Sequence, residues 1–157
     1  MSIFMQVLAA VVGTISFSLL YGVPRHYYRY CGLIGGAGWL FYCLLLPYTT
    51  PPGAALFSSV LVILMSRWFA VRERCPVTIF LISGIFPLVP GGGVYWMAYY
   101  IVTGDMDKAA ESGFLALKVA VAIVLGIVFV FQLPQRVFRF GGWQKKRRKE
   151  EEREVLR

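Results

Sequence analysis

The chain has 157 residues and a formal net charge of +8, and 58% of its residues are hydrophobic. Its mean hydropathy is +0.65, and the charged residues cluster between long apolar runs. A soluble domain of this size does not need so many runs that approach the ~20 residues required to cross a bilayer. The composition therefore excludes a soluble globular protein. It predicts a multi-pass membrane protein with one transmembrane domain, residues 1–133, and a charged cytoplasmic tail, residues 134–157.

Five membrane-spanning helices are predicted, so the expected fold class is all-α. The second span ends before Pro47, and the third follows Pro51, Pro52 and Gly53, which break helices. The fourth span contains no charged residue or histidine but is interrupted by prolines and glycines. The predicted spans are residues 3–21, 31–46, 54–71, 77–102 and 114–133.

The basic residues predict how these spans are oriented. An outside N-terminus and an inside C-terminus put all sixteen basic residues except Lys108 and Lys118 on the cytoplasmic side, as the positive-inside rule requires. A re-entrant hairpin at residues 77–102 would instead leave the basic run at 145–149 outside. We therefore predict a single discontinuous crossing, with its break near the middle of the bilayer.

Residues 84–93 place two prolines and four glycines inside the fourth predicted span. Proline lacks a backbone N–H and clashes with the preceding turn, so one regular helix cannot continue through Pro87 and Pro90. Within a bilayer, the freed backbone groups are tolerated only where protein or a polar cavity satisfies them. Many transporters place their substrate site at such a break. A structural kink in a packed bundle is the alternative interpretation.

The half-helix after the break predicts a binding site for a carboxylate. The first N–H groups of a helix have no intrahelical acceptors and lie at the positive end of the helix dipole, which favours anions. Glycines let a ligand approach the backbone closely, and a tyrosine can add a hydroxyl group, although packing between helices is its alternative role. The predicted substrate-binding residues are Pro87, Pro90, Gly91, Gly92, Gly93 and Tyr95.

Other residues near the spans have simpler interpretations. Gly32 and Gly36 form a small-xxx-small pair, which indicates close helix packing. Arg67 and Lys118 are the basic residues closest to a span interior, and their default interpretation is snorkelling to the interface. Attraction of an anionic substrate is the alternative role for both.

Enzymatic chemistry is not indicated. The predicted spans contain no carboxylate or histidine, which acid–base catalysis and most metal sites require. Cys31, Cys43 and Cys75 lack paired spacing and are interpreted as small buried side chains. We therefore predict no enzyme activity, no metal and no other cofactor. Nucleic acid is not an expected partner, because acidic residues 150–152 follow the basic run of the tail.

Several short motifs occur in an order that resembles a known family. They are VPR at 23–25, GLIG at 32–35, GWL at 38–40, PVTIF at 76–80 and IFPLVPGG at 85–92. Together they resemble the threonine/serine exporter (ThrE) family in a short, small-subunit form. The PLVPGG element is the most specific of these motifs. The resemblance covers residues 23–133 and does not include the tail.

The resemblance implies an exporter of small carboxylate-bearing metabolites in the cell inner membrane. Some family members export threonine and serine, and the split form is associated with a dicarboxylate, succinate. Full-length members join a larger N-terminal half to a half that resembles this chain, which implies a separate, larger ThrE-type membrane subunit as a partner. A homo-oligomer is also predicted, because five spans with glycine-lined faces enclose little interior. The alternative is an accessory or scaffold subunit that assembles or gates its partner without transporting.

Overall fold

A computed structural model of the protein describes residues 2–132; Met1, Leu133 and the predicted tail, residues 134–157, lie outside the described residues. The described part of the chain is all-α, as predicted. It contains two 3₁₀ turns, Arg25–Tyr27 before the second α-helix and Phe86–Leu88 after the fourth. Its α-helices are α1 (Ile3–Leu20), α2 (Tyr28–Leu45), α3 (Pro51–Glu73), α4 (Val77–Ile85), α5 (Gly91–Thr103) and α6 (Met106–Gln132).

Proline and left-handed residues mark several helix ends. Pro51 and Pro52 occupy the first turn of α3, where a missing N–H leaves no hydrogen bond unmade and the fixed φ is already helical. Arg74 ends α3 in the left-handed conformation, with φ 56°. Gly104 ends α5 with φ 82° and lets the chain turn directly into α6. The connections between α3 and α4 and between α5 and α6 are therefore short.

Three helices, α1, α3 and α6, are each long and apolar enough to cross a membrane. The segments Val77–Leu88 and Gly91–Thr103 meet the same standard together, with a bend of 46° between them. The described residues thus contain three to four candidate spans, and the protein is a multi-pass membrane protein. α2, whose first turn includes Arg29, is not among these candidates. The second predicted span, residues 31–46, therefore remains a prediction.

The helices α1 to α4 form a bundle in which small residues allow close approach. A Cβ at Gly84 of α4 would lie 2.7 Å from the Cγ2 atom of Ile34 in α2. Gly38 of α2 meets Val62 of α3 in the same way. The side chains of Ile34, Val62 and Phe80 are fully buried between these helices. We call this unit the α1–α4 bundle.

The first half of α6 packs against α5. Gly113 lies beside Met97, where a Cβ would be 2.6 Å from the sulfur atom. Nearer the break, a Cβ at Gly93 would be 3.0 Å from that of Ala116. Later residues of α5 therefore meet earlier residues of α6, so the two helices are antiparallel. We call α5 and the first half of α6 the α5–α6 hairpin.

The second half of α6 packs against α3 and runs parallel to it. Gly126 lies near Leu56, whose carbonyl oxygen would be 3.0 Å from a Cβ at that glycine. Further along both helices, Arg67 of α3 donates a hydrogen bond to the carbonyl of Val130. The chain must therefore return to the end of the bundle where α3 begins before it enters α6. Together α4 and α5 make this return, which supports one discontinuous crossing rather than a re-entrant hairpin.

The break between α4 and α5 lies between the middle and the first turn of α3. Just before the break, Gly84 approaches Val62 in the middle of α3. Gly93 contacts Ala116 of α6, and the next residues of α6, Leu117 and Lys118, line a groove together with Pro52 of α3. The molecule consequently extends beyond the break in both directions, through the α1–α4 bundle on one side and the α5–α6 hairpin on the other. The expected position of the break in the bilayer remains a prediction.

Candidate substrate site

The break consists of the 3₁₀ turn Phe86–Leu88 followed by Val89 and Pro90. Pro87 lies at the beginning of this turn, where a helix does not need its N–H. The N–H of Gly91 donates to the carbonyl of Val89, with 2.7 Å between nitrogen and oxygen. Pro90 has no N–H to donate, so it cannot continue the hydrogen-bond pattern of α4. The backbone therefore restarts as a new helix after two prolines.

The first turn of α5 has backbone N–H groups without acceptors. The N–H groups of Gly92 and Gly93 make no hydrogen bond within the described residues. A Cβ at Gly91 or Gly92 would meet nothing within 4 Å, whereas Gly93 packs on α6. Two unused donors thus lie at the positive end of a helix dipole and next to open space. This is the arrangement in which helix termini bind anions.

The other predicted site residues lie near this turn and differ in how exposed they are. Pro87 and Pro90 are half-buried. Tyr95 is 63% exposed, and its ring makes an edge contact with Trp96 at 5.5 Å between ring centres. No residue of α5 is buried within the described part of the chain. The tyrosine hydroxyl is therefore accessible, and its predicted role in binding remains a prediction.

Gly32 and Gly36 lie in a different part of the molecule, where α2 packs on α1. A Cβ at Gly32 would be 3.1 Å from the side chain of Ile15, and one at Gly36 would be 2.5 Å from that of Val11. Both glycines therefore bring helices together within one chain. A larger residue at either position would disturb the α1–α4 bundle itself, so the predicted homo-oligomer has to be tested at other residues.

Arg67 and Lys118 make their contacts outside the break. Arg67 is only 6% exposed, and its Nη1 atom lies 2.7 Å from the carbonyl oxygen of Val130. This carbonyl belongs to the last turn of α6, where a cation also complements the negative end of the helix dipole. The Nζ atom of Lys118 lies 4.8 Å from the centre of the Phe114 ring. An anion at the break would consequently be held by backbone groups.

The burial of Arg67 differs from its sequence-based interpretation as a snorkelling residue. A signal for this burial was present in the spacing, because residues 63, 67 and 70 share one face of a helix. Ile63 and Ala70 are both buried. An arginine on the same face as these neighbours is held inside the contact between α3 and α6, where the Val130 carbonyl provides its partner.

A groove of about 520 Å³ lies between α5 and α6. Apolar side chains line it, among them Met97, Ile101, Phe114 and Leu117. Such a lining does not supply the polar contacts that a bound carboxylate needs. The unused N–H groups at the break are therefore better placed for an anionic ligand than this groove.

The break offers backbone N–H groups rather than charged side chains. Residues 77–102 contain no carboxylate, histidine, lysine or cysteine that could transfer a proton or attack a substrate. Ser83, the serine in this segment, donates its hydroxyl hydrogen to the carbonyl of Ile79 at 2.9 Å. Its hydroxyl is thus committed to its own helix.

The sequence matches a known protein family. A family model described as Threonine/Serine exporter, ThrE, matches residues 6–133. This range contains the break and nearly all of the helices described above. A search of curated proteins and a search of solved structures found no match.

Proposed function

The chain belongs to the threonine/serine exporter family, and we propose that it is the small membrane subunit of an exporter of small carboxylate-bearing metabolites. The substrate would be threonine or serine, or a dicarboxylate such as succinate. The observation that carries this proposal is the restart of the helix after Pro90. It leaves the N–H groups of Gly92 and Gly93 without acceptors.

In the proposed complex, a substrate carboxylate accepts hydrogen bonds from the N–H groups of Gly92 and Gly93. Hydrogen bonds to a charged acceptor are stronger than those between neutral groups. The absence of a side chain at Gly91 and Gly92 lets the carboxylate reach the backbone. Pro87 and Pro90 keep the break open, because they prevent α4 and α5 from joining into one regular helix. The hydroxyl of Tyr95 is the proposed side-chain contact.

We propose that the carboxylate site is completed by a larger ThrE-type membrane subunit. The support for this comes from α5, in which no described residue is buried, so one side of the site is open. A second chain beside α5 would cover the bound substrate and exclude lipid from it. The homo-oligomer is proposed on the same basis, since large apolar side chains are exposed on α1 and α6 as well.

The proposed location is the cell inner membrane, with the N-terminus outside and the C-terminus in the cytoplasm. This orientation places Arg72 and Arg74, at the end of α3, on the cytoplasmic side. The connection between α5 and α6 then lies outside. It contains Asp105, whose carboxylate accepts a 2.7 Å hydrogen bond from Lys108. This hydrogen bond from Lys108 lowers the pKa of Asp105 below its ordinary value.

A second candidate function is that of an accessory subunit that assembles or gates its partner without transporting. The observation that favours it is the open space beside Gly91 and Gly92. A substrate bound there would not be enclosed by the described residues of this chain alone.

Reconstitution into vesicles distinguishes the two functions. The chain is reconstituted alone, with its larger partner, and with a partner whose own transport is separately measured. Efflux of labelled threonine, serine and succinate is then followed. Our proposal expects efflux only when both subunits are present, and loss of this efflux when the break is altered. Efflux by the partner alone at the full rate would contradict it and favour the accessory function.

A further inference from the structure

A second groove lies on another face of the molecule, between the first turn of α3 and the middle of α6. Its volume is about 430 Å³. Small residues create it, because Gly53 and Ala122 leave space between the two helices. Its walls are formed by apolar side chains such as Leu56, Val121 and Leu125. Lys118 is the charged residue among those that line it.

Lys118 has no ion-pair partner within the described residues. Two other basic residues have partners: Lys108 pairs with Asp105 at 2.7 Å, and Arg67 donates to the carbonyl of Val130. The ammonium group of Lys118 lies over the face of the Phe114 ring. An uncompensated cation in an apolar membrane helix is costly, and such residues usually have a partner. An anionic ligand in this groove would therefore balance the charge of Lys118.

A second donor lies on the same groove. The backbone N–H of Gly53 makes no hydrogen bond within the described residues. The two preceding residues of α3 are prolines and have no N–H, so this is the first donor that the helix offers. Lys118 and Gly53 together provide positive charge at one end of an otherwise apolar channel.

The groove is separate from the proposed carboxylate site. Gly93 packs on Ala116, and Lys118 follows two residues later on α6. Two residues correspond to about 200° around an α-helix, at 3.6 residues per turn. The ammonium group therefore leaves α6 on the side away from α5 and the break.

We propose that this groove binds a phospholipid with an anionic headgroup. One acyl chain lies against Leu56, Val121 and Leu125, and the phosphate accepts hydrogen bonds from the Nζ atom of Lys118 and from the N–H of Gly53. The charge complementarity at Lys118 and the position of the groove on a membrane helix identify this occupant. The inference does not depend on the proposed transport function.

Native mass spectrometry of the full-length chain tests the proposal. Bound phosphatidylglycerol and phosphatidylcholine are compared for the wild type, for Lys118→Met and for Lys108→Met. The two variants remove the same charge from the same helix, so Lys108→Met is the matched control. We expect Lys118→Met to bind phosphatidylglycerol about fivefold more weakly, as for the loss of one lysine at an anionic surface. Lys108→Met should stay within twofold of the wild type, and phosphatidylcholine binding should not change.

Three outcomes would overturn the proposal. The first is unchanged phosphatidylglycerol binding by Lys118→Met, and the second is an equal loss in both variants. The third is displacement of phosphatidylglycerol by glycerol 1-phosphate at the same concentration, which would indicate a site for a soluble phosphate rather than a lipid. Thermal unfolding of each variant is measured in parallel, and a melting temperature equal to that of the wild type assigns the loss to the headgroup contact.

Discussion

Replacing Gly92 with valine should fill the space beside the break without disturbing the packing of the helices. A Cβ at this position meets nothing within 4 Å, so the new side chain starts in open space. Valine also has a slightly higher helix propensity than glycine, by a few tenths of a kcal/mol. The folded protein should therefore keep its stability. The substrate, in contrast, loses the space through which it reaches the N–H groups of Gly92 and Gly93.

The expected effect on transport follows from the hydrogen bonds that are lost. A hydrogen bond to a charged group contributes about 1.5–3 kcal/mol. Losing one such bond weakens binding by about 10- to 150-fold, since each 1.4 kcal/mol is a factor of ten. At substrate concentrations well below saturation, efflux per molecule of Gly92→Val should fall by at least about tenfold relative to the wild type.

Gly13→Val provides a matched control for this experiment. Gly13 lies within α1, and a Cβ there also meets nothing within 4 Å. The same substitution is thus made at a second helical position with free space but away from the break. Efflux is measured in vesicles containing the larger partner and is divided by the amount of inserted protein. Equal efflux by Gly92→Val and Gly13→Val would refute the backbone site, and the break would then be a structural kink.

Three further predictions concern stability and orientation. Arg67→Met should lower the free energy of unfolding in detergent by about 1.5–3 kcal/mol, because the bond to the Val130 carbonyl is lost; a similar loss in Arg72→Met, at an exposed position of the same helix, would contradict this. Gly126→Val should cost about 1–3 kcal/mol, because a backbone carbonyl of α3 would lie 3.0 Å from the new Cβ; an unchanged melting temperature would argue against the tight contact. A cysteine introduced at Lys149, in a chain without its native cysteines, should not react with an impermeant maleimide in intact cells; labelling from outside would overturn the proposed orientation.

The sequence was sufficient to predict the helices but not all of their ends. Apolar runs and prolines identified each helix, and Pro87 and Pro90 identified the break. α3 begins at Pro51 rather than after Gly53, because proline fits the first turn of a helix as well as the segment before it. α6 begins at Met106 rather than at residue 114. Its first turns are polar, so a prediction based on apolar runs does not include them.

The packing partners of the helices could not be predicted from the pattern of residues. Arg67 and Val130 are 63 positions apart and meet only because α3 and α6 are parallel. Glycines in α2 indicated a close helix contact, but nothing in their spacing specified α1 as the partner. The open space beside Gly92 is likewise a property of the folded chain. The position of the break was therefore predictable from the prolines, and the packing around it was not.

The division of α6 between two partners also has a mechanical consequence. About 30 Å of rigid helix separates Gly126, in the contact with α3, from Met106 at the tip of the α5–α6 hairpin, at 1.5 Å per residue. If the contact at Gly126 acts as a pivot, this length is a lever arm, and a rotation of about 10° displaces the tip by about 5 Å. The bend at Val89 and Pro90 is the second joint through which such a rotation passes. A tilt too small to repack the α1–α4 bundle would thereby be amplified at the far end of the molecule, and the proposed carboxylate site lies directly beside the second joint.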